Sequence, residues 1–236
     1  MQGKFVDQKL LKVIEKFMGE WKPDRTFYVG DILEFWDYSD FDKDPRVSMT
    51  VDSEIEWAND MFDRHEKMLP KSKRHFIEGN HEDRYRREWW TRFKPASQSL
   101  SKSLPEALKV DKRNMDYIKY RYHIDYDGFV VTHGEVTSEN DAKKNMMDYL
   151  SSGCSGHTNR PKEWMGMGQK DQDPHTWYVL GMLCRKDIGS FIPAWRKQRA
   201  WQQAFGISEI RNGAVHFQLV RVHNGGFWAA GKFFAV

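Results

Sequence analysis

Four short motifs in a fixed order constrain this chain more than any other feature. They are Gly30-Asp31, Gly79-Asn80-His81-Glu82, Thr132-His133-Gly134 and Gly156-His157-Thr158-Asn159. Each sets an oxygen or imidazole donor beside glycine. Asp, Asn and His are ligand types that hold Mn, Fe or Zn. Glycine lets a backbone turn sharply and pass close to a ligand. Three of the motifs follow short apolar runs that read as buried strands: Thr26 to Val29, His75 to Ile77 and Phe129 to Thr132. Ligand-type residues just past strand ends are where open α/β sheets build their sites.

The segments between the motifs supply helices. Leu10, Leu11, Ile14, Phe17, Met18 and Trp21 recur at helical spacing, which predicts a helix from Asp7 to Glu20, ended by Lys22-Pro23-Asp24. A second helix is expected over Val51 to Leu69, a third over Asp83 to Phe93 and a fourth over Asn140 to Leu150. Asp37 to Pro45 reads as a loop, and Lys71 to Arg74 as a solvated basic turn. Residues 95–109 read as an irregular cap, with mixed strand character over Tyr117 to Tyr126, so that the cap-like segment spans about 95–126. Gly153 to Asn159 reads as a strand passing into a loop. The last third changes period. Trp177 to Cys184, Ala204 to Ile210 and Ala214 to His223 read as strands, with Asn224-Gly225-Gly226 as a hairpin turn and Phe227 to Phe234 as the return strand. Helix-linked strands followed by antiparallel ones predict an α/β chain of two packed sheets with helices outside, in one domain over 1–236.

Composition narrows the class. The 236 residues are 39% hydrophobic and 30% charged, which fits a globular chain and not a disordered one. No apolar run is long enough to span a bilayer, and Met1 to Gln8 has no apolar signal core, so a cytoplasmic protein is expected. Lysine and arginine exceed the acids by 37 to 34, too small a margin to argue for nucleic acid by itself. Cys154 and Cys184 are too few for a disulfide framework and read as reduced thiols, Cys154 as a small buried residue.

The motifs resemble those of the calcineurin-like metallophosphoesterases, of the compact kind common in bacteria and phages, and the resemblance runs over nearly the whole chain. The family pattern is Asp-x-His, Gly-Asp-x-x-Asp, Gly-Asn-His-Asp/Glu, a His after an apolar strand, and Gly-His-x-His. Gly79-Asn80-His81-Glu82 is the most specific match. The resemblance implies a four-layer α-β-β-α sandwich of two mixed sheets. It implies hydrolysis of phosphate mono- or diesters, a nucleic-acid phosphodiester among them, in a bacterial or infected cell. Asp31 takes the place of the carboxylate that bridges two metals. Asn80, His133 and His157 take the places of the other ligands of one of them, and His81 that of the histidine that protonates the leaving group. The implied cofactor is a divalent ion, Mn first, with Fe or Zn as alternatives. One site is matched in full. The other lacks Asp-x-His, whose strand would lie before the first helix, and Asn159 replaces the final His. Asn159, Glu34 (where the family often has Asp) and Arg84 are weak metal or phosphate contacts at most. These departures motivate an alternative reading: a non-catalytic or impaired member of the fold that acts as a binding module.

Three further features carry two readings each. Arg84, Arg86, Arg87, Trp89, Trp90, Arg92 and Lys94 suit a phosphate or nucleic-acid contact, or a helix with one charged and one aromatic face. Ala194 to Phe205, with Trp195, Arg196, Lys197, Arg199 and Trp201, suits a membrane or nucleic-acid contact, and equally a short amphipathic segment that packs its tryptophans inward. Asp63-x-His65 and Asp173-x-His175 have the Asp-x-His spacing but follow no apolar strand. His65, His75, His123, His216 and His223 stand in no motif and read as structural or surface groups.

Overall fold

Asp7 starts the first helix, α1 (Gln8–Trp21), by accepting from the amides of Lys9 and Leu10, a cap that contributes about 1 kcal/mol. Lys22 leaves the helix in the left-handed region, and Pro23 prevents its continuation. The computed structural model describes residues 3–39, 48–92, 102–166, 174–185 and 201–236.

A parallel sheet follows, in the order β1 (Arg25–Val29), β2 (Lys73–Ile77), β3 (Met115–Ile118). Its crossovers carry α2 (Val51–Met68), α3 (Asn80–Arg92) and the single turn α4 (Leu104–Ala107). A second, mixed sheet has the order β4 (His123–Tyr126), β5 (Phe129–Thr132), β6 (Ser152–Ser155), β8 (His175–Val179), β7 (Lys162–Gly166). In it β5, β6 and β8 run parallel, and β4 and β7 are antiparallel edges. Helix α5 (Asp141–Tyr149) links β5 to β6. Two hairpins close the chain: β9 (Ala204–Arg211) with β10 (Ala214–Arg221), and β11 (Gly226–Ala229) with β12 (Lys232–Ala235).

The apolar clusters show the layering. Ala58, Met61 and Phe62 of α2 pack with Tyr28 and Phe76 on one face of the parallel sheet. Its other face packs through Ile77, Phe27 and Val29 against Phe129, Val131 and Cys154 of the mixed sheet. Beyond that, Val130, Trp177 and Val179 meet Ala142 of α5. The chain is therefore an α/β sandwich of helix, sheet, sheet and helix. Leu10, Ile14 and Phe17 of α1 pack instead with the terminal hairpins at Val220, Phe227 and Phe234. Each such side chain, fully buried, stabilises the fold by about 1.5–3 kcal/mol.

Several expectations are corrected. The solvated turn Lys71 to Arg74 is half strand: β2 starts at Lys73, and Arg74 is 1% exposed. Its guanidinium donates to the carbonyls of Leu69 and His65, at the carboxyl end of α2, where orphan carbonyls attract a cation. The cap expected over 95–126 is not a cap where it is described. Met115–Ile118 pairs with β2, and His123–Tyr126 pairs with β5; residues 95–101 lie outside the described residues. Asn224-Gly225 does form a tight turn, with His223 and Gly226 bridged across it. The return strand breaks at Ala230-Gly231, so Phe227 and Phe234 face each other across a hairpin of their own. The parallel sheet is not mixed, because each of its connections is a crossover. Lys94, Trp195 and Asp173 lie outside the described residues.

Candidate metal centre

The four motifs end four parallel strands, two from each sheet. Asp31 follows β1, Asn80 and His81 open α3 just past β2, His133 follows β5 and His157 follows β6. Ligand-type atoms of Asp31, His133 and His157 lie within 4.8 Å of one another. Asn80 Oδ1 lies between the two imidazoles, 3.1 Å from His133 Nε2 and 2.9 Å from His157 Nδ1. Asp31 Oδ1 is 3.4 Å from His133 Nε2. Ligands about 2.1 Å from one ion stand roughly 3.0–3.4 Å apart in octahedral or tetrahedral arrangement, so these spacings suit a single centre.

The hydrogen bonding points the same way. His133 Nδ1 is 3.0 Å from the carbonyl oxygen of Val29, which can only accept, so Nδ1 carries the proton. In a neutral ring Nε2 then turns a lone pair toward the oxygens of Asp31 and Asn80. A cation resolves that repulsion, and a ligand histidine held through its other nitrogen is the usual arrangement.

Glycine is needed for this convergence. A Cβ on Gly30 would lie 2.2 Å from His133 Nδ1, and one on Gly79 would lie 2.2 Å from Asp31 Oδ1. Asp31 (φ 49°), His157 (φ 68°) and Asn159 (φ 58°) all sit in the left-handed region, a strain of about 1–3 kcal/mol per residue that the surroundings must offset.

Buried carboxylates supply that support. Glu82 accepts from the amides of Asp31, Leu33 and Gly79 at 2.9, 2.8 and 2.8 Å. Glu54, on α2, accepts from the amides of Glu34, Phe35 and Trp36 at 2.7–2.9 Å. Asp141 accepts from the hydroxyl of Thr158 at 2.6 Å and pairs with Lys162, tying the His157 loop to α5. Burial raises the carboxyl of Glu82 above its ordinary range, with the charge of Asp31 adding to it. Burial also raises that of Glu54, against the pull of its three amides.

Asp31 goes the other way. Burial would raise its carboxyl, but His133, His81 and the His81 amide outweigh it and hold it at about 2. His157 is pushed down to about 4 by burial and by His133, so its ring is neutral and ready to bind a cation at pH 7. His81 is raised: burial lowers it, but Asp31 and Glu34 more than compensate. His81 Nδ1 lies 2.9 Å from Glu34 Oε2, and Nε2 lies 3.8 Å from Asp31 Oδ2.

The structure thus brings together Asp31, Asn80, His133 and His157, with His81 and Glu34 beside them. Arg84 reaches Glu34, at 3.4 Å from Oε1 and 3.1 Å from its carbonyl. Asn159 follows His157 in the same loop, where its carbonyl accepts from Gln202. Two further arginines of α3 meet carboxylates: Arg86 pairs with Glu78 and Asp83, and Arg87 with Asp83. Asp63-x-His65 does not reach the centre. Asp63 pairs with Arg113, and His65 contacts Tyr28 and Glu15. Cys154 is buried among apolar neighbours, as expected. The supporting roles of Glu54 and Asp141 carry no signal in the sequence, since an acid inside an amphipathic helix reads as surface.

No protein-family model matches the chain. It is similar to the Gene 54 protein of Mycobacterium phage D29, 25% identical over 265 aligned residues that cover 98% of this chain and 94% of that protein. That name states no activity, but its source agrees with the expectation of a phage-type protein. No helix among the described residues is long and apolar enough to cross a membrane.

Proposed function

We propose that this chain is a metal-dependent phosphoesterase of the calcineurin-like kind, acting on phosphate mono- or diesters, with Mn as the preferred ion and Fe or Zn as alternatives. The observation that carries the proposal is the convergence of Asp31, Asn80, His133 and His157 at the carboxyl ends of strands from both sheets, with His81 at its rim. A divalent ion held there would polarise a phosphoryl oxygen and lower the pKa of a bound water. Asp31 brings the negative charge that such an ion requires, and His133 and His157 bring imidazole nitrogens. His81 supplies the proton for the departing oxygen: Asp31 and Glu34 favour its protonated form, and Glu34 fixes the ring through Nδ1. Glu34 is in turn held by Arg84 and by the Glu54 nest.

The test is hydrolysis of bis-p-nitrophenyl phosphate with added Mn²⁺, beside a sample stripped with EDTA and the variant Asp31→Asn. Turnover that needs the metal and disappears in the variant supports the proposal. A folded, Mn-loaded chain that hydrolyses neither this diester nor p-nitrophenyl phosphate overturns it in favour of a binding role.

A further inference from the structure

Glu78 stands between β2 and the Gly79-Asn80 motif, and it is buried. Its carboxylate accepts from the Tyr120 amide at 2.8 Å, from Arg86 Nη1 at 3.2 Å and from the Tyr117 hydroxyl. One buried acid therefore ties α3 to the turn between β3 and β4, which the Tyr122 amide closes on the Lys119 carbonyl at 3.1 Å.

Each of the two elements it joins carries an arginine on an aromatic ring. On α3, the Arg86 guanidinium lies 5.4 Å from the centroid of Trp90. Trp89 packs on the core, whereas Trp90 is 55% exposed. Asp83, Arg86 and Trp90 share one stripe by their spacing of three and four, and the bond from Arg86 to Glu78 turns that stripe toward the Tyr120 turn. In the turn, the Arg121 guanidinium lies 5.5 Å from the centroid of Tyr120, and the Arg121 side chain is 69% exposed. Tyr120 meets His133 of the candidate centre edge to face, with centroids 6.3 Å apart. Arg121 has a φ of 73° and is held through Nε by Glu135 at 3.1 Å. Backbone strain of this kind persists only where neighbours fix it, and it gathers at ligand sites.

We propose that this rim binds a single-stranded polynucleotide, one base stacking on the Arg121–Tyr120 pair beside His133 and another on the Trp90–Arg86 pair along α3; the strand's role as substrate rests on the phosphoesterase reading. Indole rings and guanidinium planes stack on the faces of bases whatever their sequence. A duplex hides those faces between neighbouring pairs and offers only base edges in its grooves. Trp90 stands roughly 15 Å along α3 from Asn80 by the helical rise, so a mononucleotide reaches one pair and a strand reaches both. Charge alone does not suffice, since Arg86 already meets Glu78 and Asp83, and Arg121 meets Glu135. Stacking must supply much of the affinity.

The test is fluorescence anisotropy of the metal-free chain with labelled oligothymidylate and with an abasic strand of equal length and charge. The strand with bases is expected to bind more tightly. Trp90→Ala removes a stacking ring, and Arg121→Lys keeps the charge but removes the plane; both positions are exposed. Each variant is expected to weaken thymidylate binding about 5- to 160-fold and abasic binding by less than about twofold. Equal affinity for the two strands overturns the proposal, as does parental thymidylate binding by both variants, or binding of neither strand. An oligouridylate run beside them tells RNA from DNA. Hydrolysis of bis-p-nitrophenyl phosphate, which carries no base, reports on the esterase separately. Mn-dependent turnover with base-independent binding removes the strand site alone. Base-dependent binding without turnover of either test ester rejects the esterase and keeps the strand site.

Discussion

Gly79→Ala isolates how tightly the centre is set. The new methyl carbon would lie 2.2 Å from Asp31 Oδ1, 2.5 Å from the Asp31 amide nitrogen and 2.8 Å from His133 Cε1, where ordinary contact begins at 3.4 Å. The carboxylate would have to retreat by about 1.2 Å, six times the tolerance of roughly 0.2 Å expected of a metal–ligand distance. Gly79 cannot move instead, since its amide is fixed to Glu82 at 2.8 Å. Overpacking of this kind costs about 1–3 kcal/mol. If bound metal restores the parental geometry, that strain is subtracted from the binding free energy, a loss of about 5- to 160-fold in affinity. Gly128→Ala is the control. No atom lies within 4 Å of its new carbon, but its φ of +73° penalises any side chain, so it loses about 1–2 kcal/mol of stability and no metal affinity. Calorimetric titration with Mn²⁺ and urea unfolding read the two effects separately. A Gly79→Ala protein that binds Mn²⁺ within twofold of the parent would refute the reasoning, as would an equal loss in Gly128→Ala.

Asp31→Asn is expected to abolish Mn²⁺ binding and with it any hydrolysis; parental turnover in that variant removes Asp31 from the ligand set. His81→Ala is expected to keep Mn²⁺ and lose about 10²–10⁴-fold in turnover, whereas loss of the ion would make His81 a ligand. The unfolded chain takes up a proton near pH 6.5 that the folded His157 ring refuses until about pH 4. The metal-free protein should therefore lose stability relative to His157→Gln as the pH falls through that window; urea midpoints that stay parallel from pH 7 to 4 contradict this. Burial pushes the thiols of Cys154 and Cys184 up to about 12, so neither should react with a thiol reagent at pH 8 until urea is added. Rapid labelling of the folded chain would show at least one of them to be accessible.

The sequence made legible whatever depends on period or on punctuation. The expected strand Phe129 to Thr132 matches β5, and α1 and α2 fall within a residue of their expected ends, because apolar spacing and capping are local signals. Lys162–Gly166 was not legible. Its edge strand exposes Trp164 and Met165 and shows no alternation of apolar and polar residues. The hairpin register failed at Ala230-Gly231 for a related reason: the apolar run from Phe227 to Phe234 hides a turn that only φ values of 47° and 74° reveal. Arg74 was misread because a buried guanidinium answers to helix carbonyls far from it in the fold but near it in no pattern. The donors of the candidate centre could be named from their motifs, yet what holds them could not. Glu54 and Asp141 come from helices whose acids look solvated until the loops they anchor are in place.

The run from Asp31 to Trp36 shows what that anchoring entails. Five of its six amides end on just two carboxylates, those of Glu82 and Glu54, and the carbonyl of the sixth residue, Ile32, takes the amide of Gly3. Loops of this irregular kind ordinarily absorb insertions and deletions during divergence. This one should not. Adding or removing a single residue would shift every donor past its acceptor, so the length of the run should drift far less than its side chains.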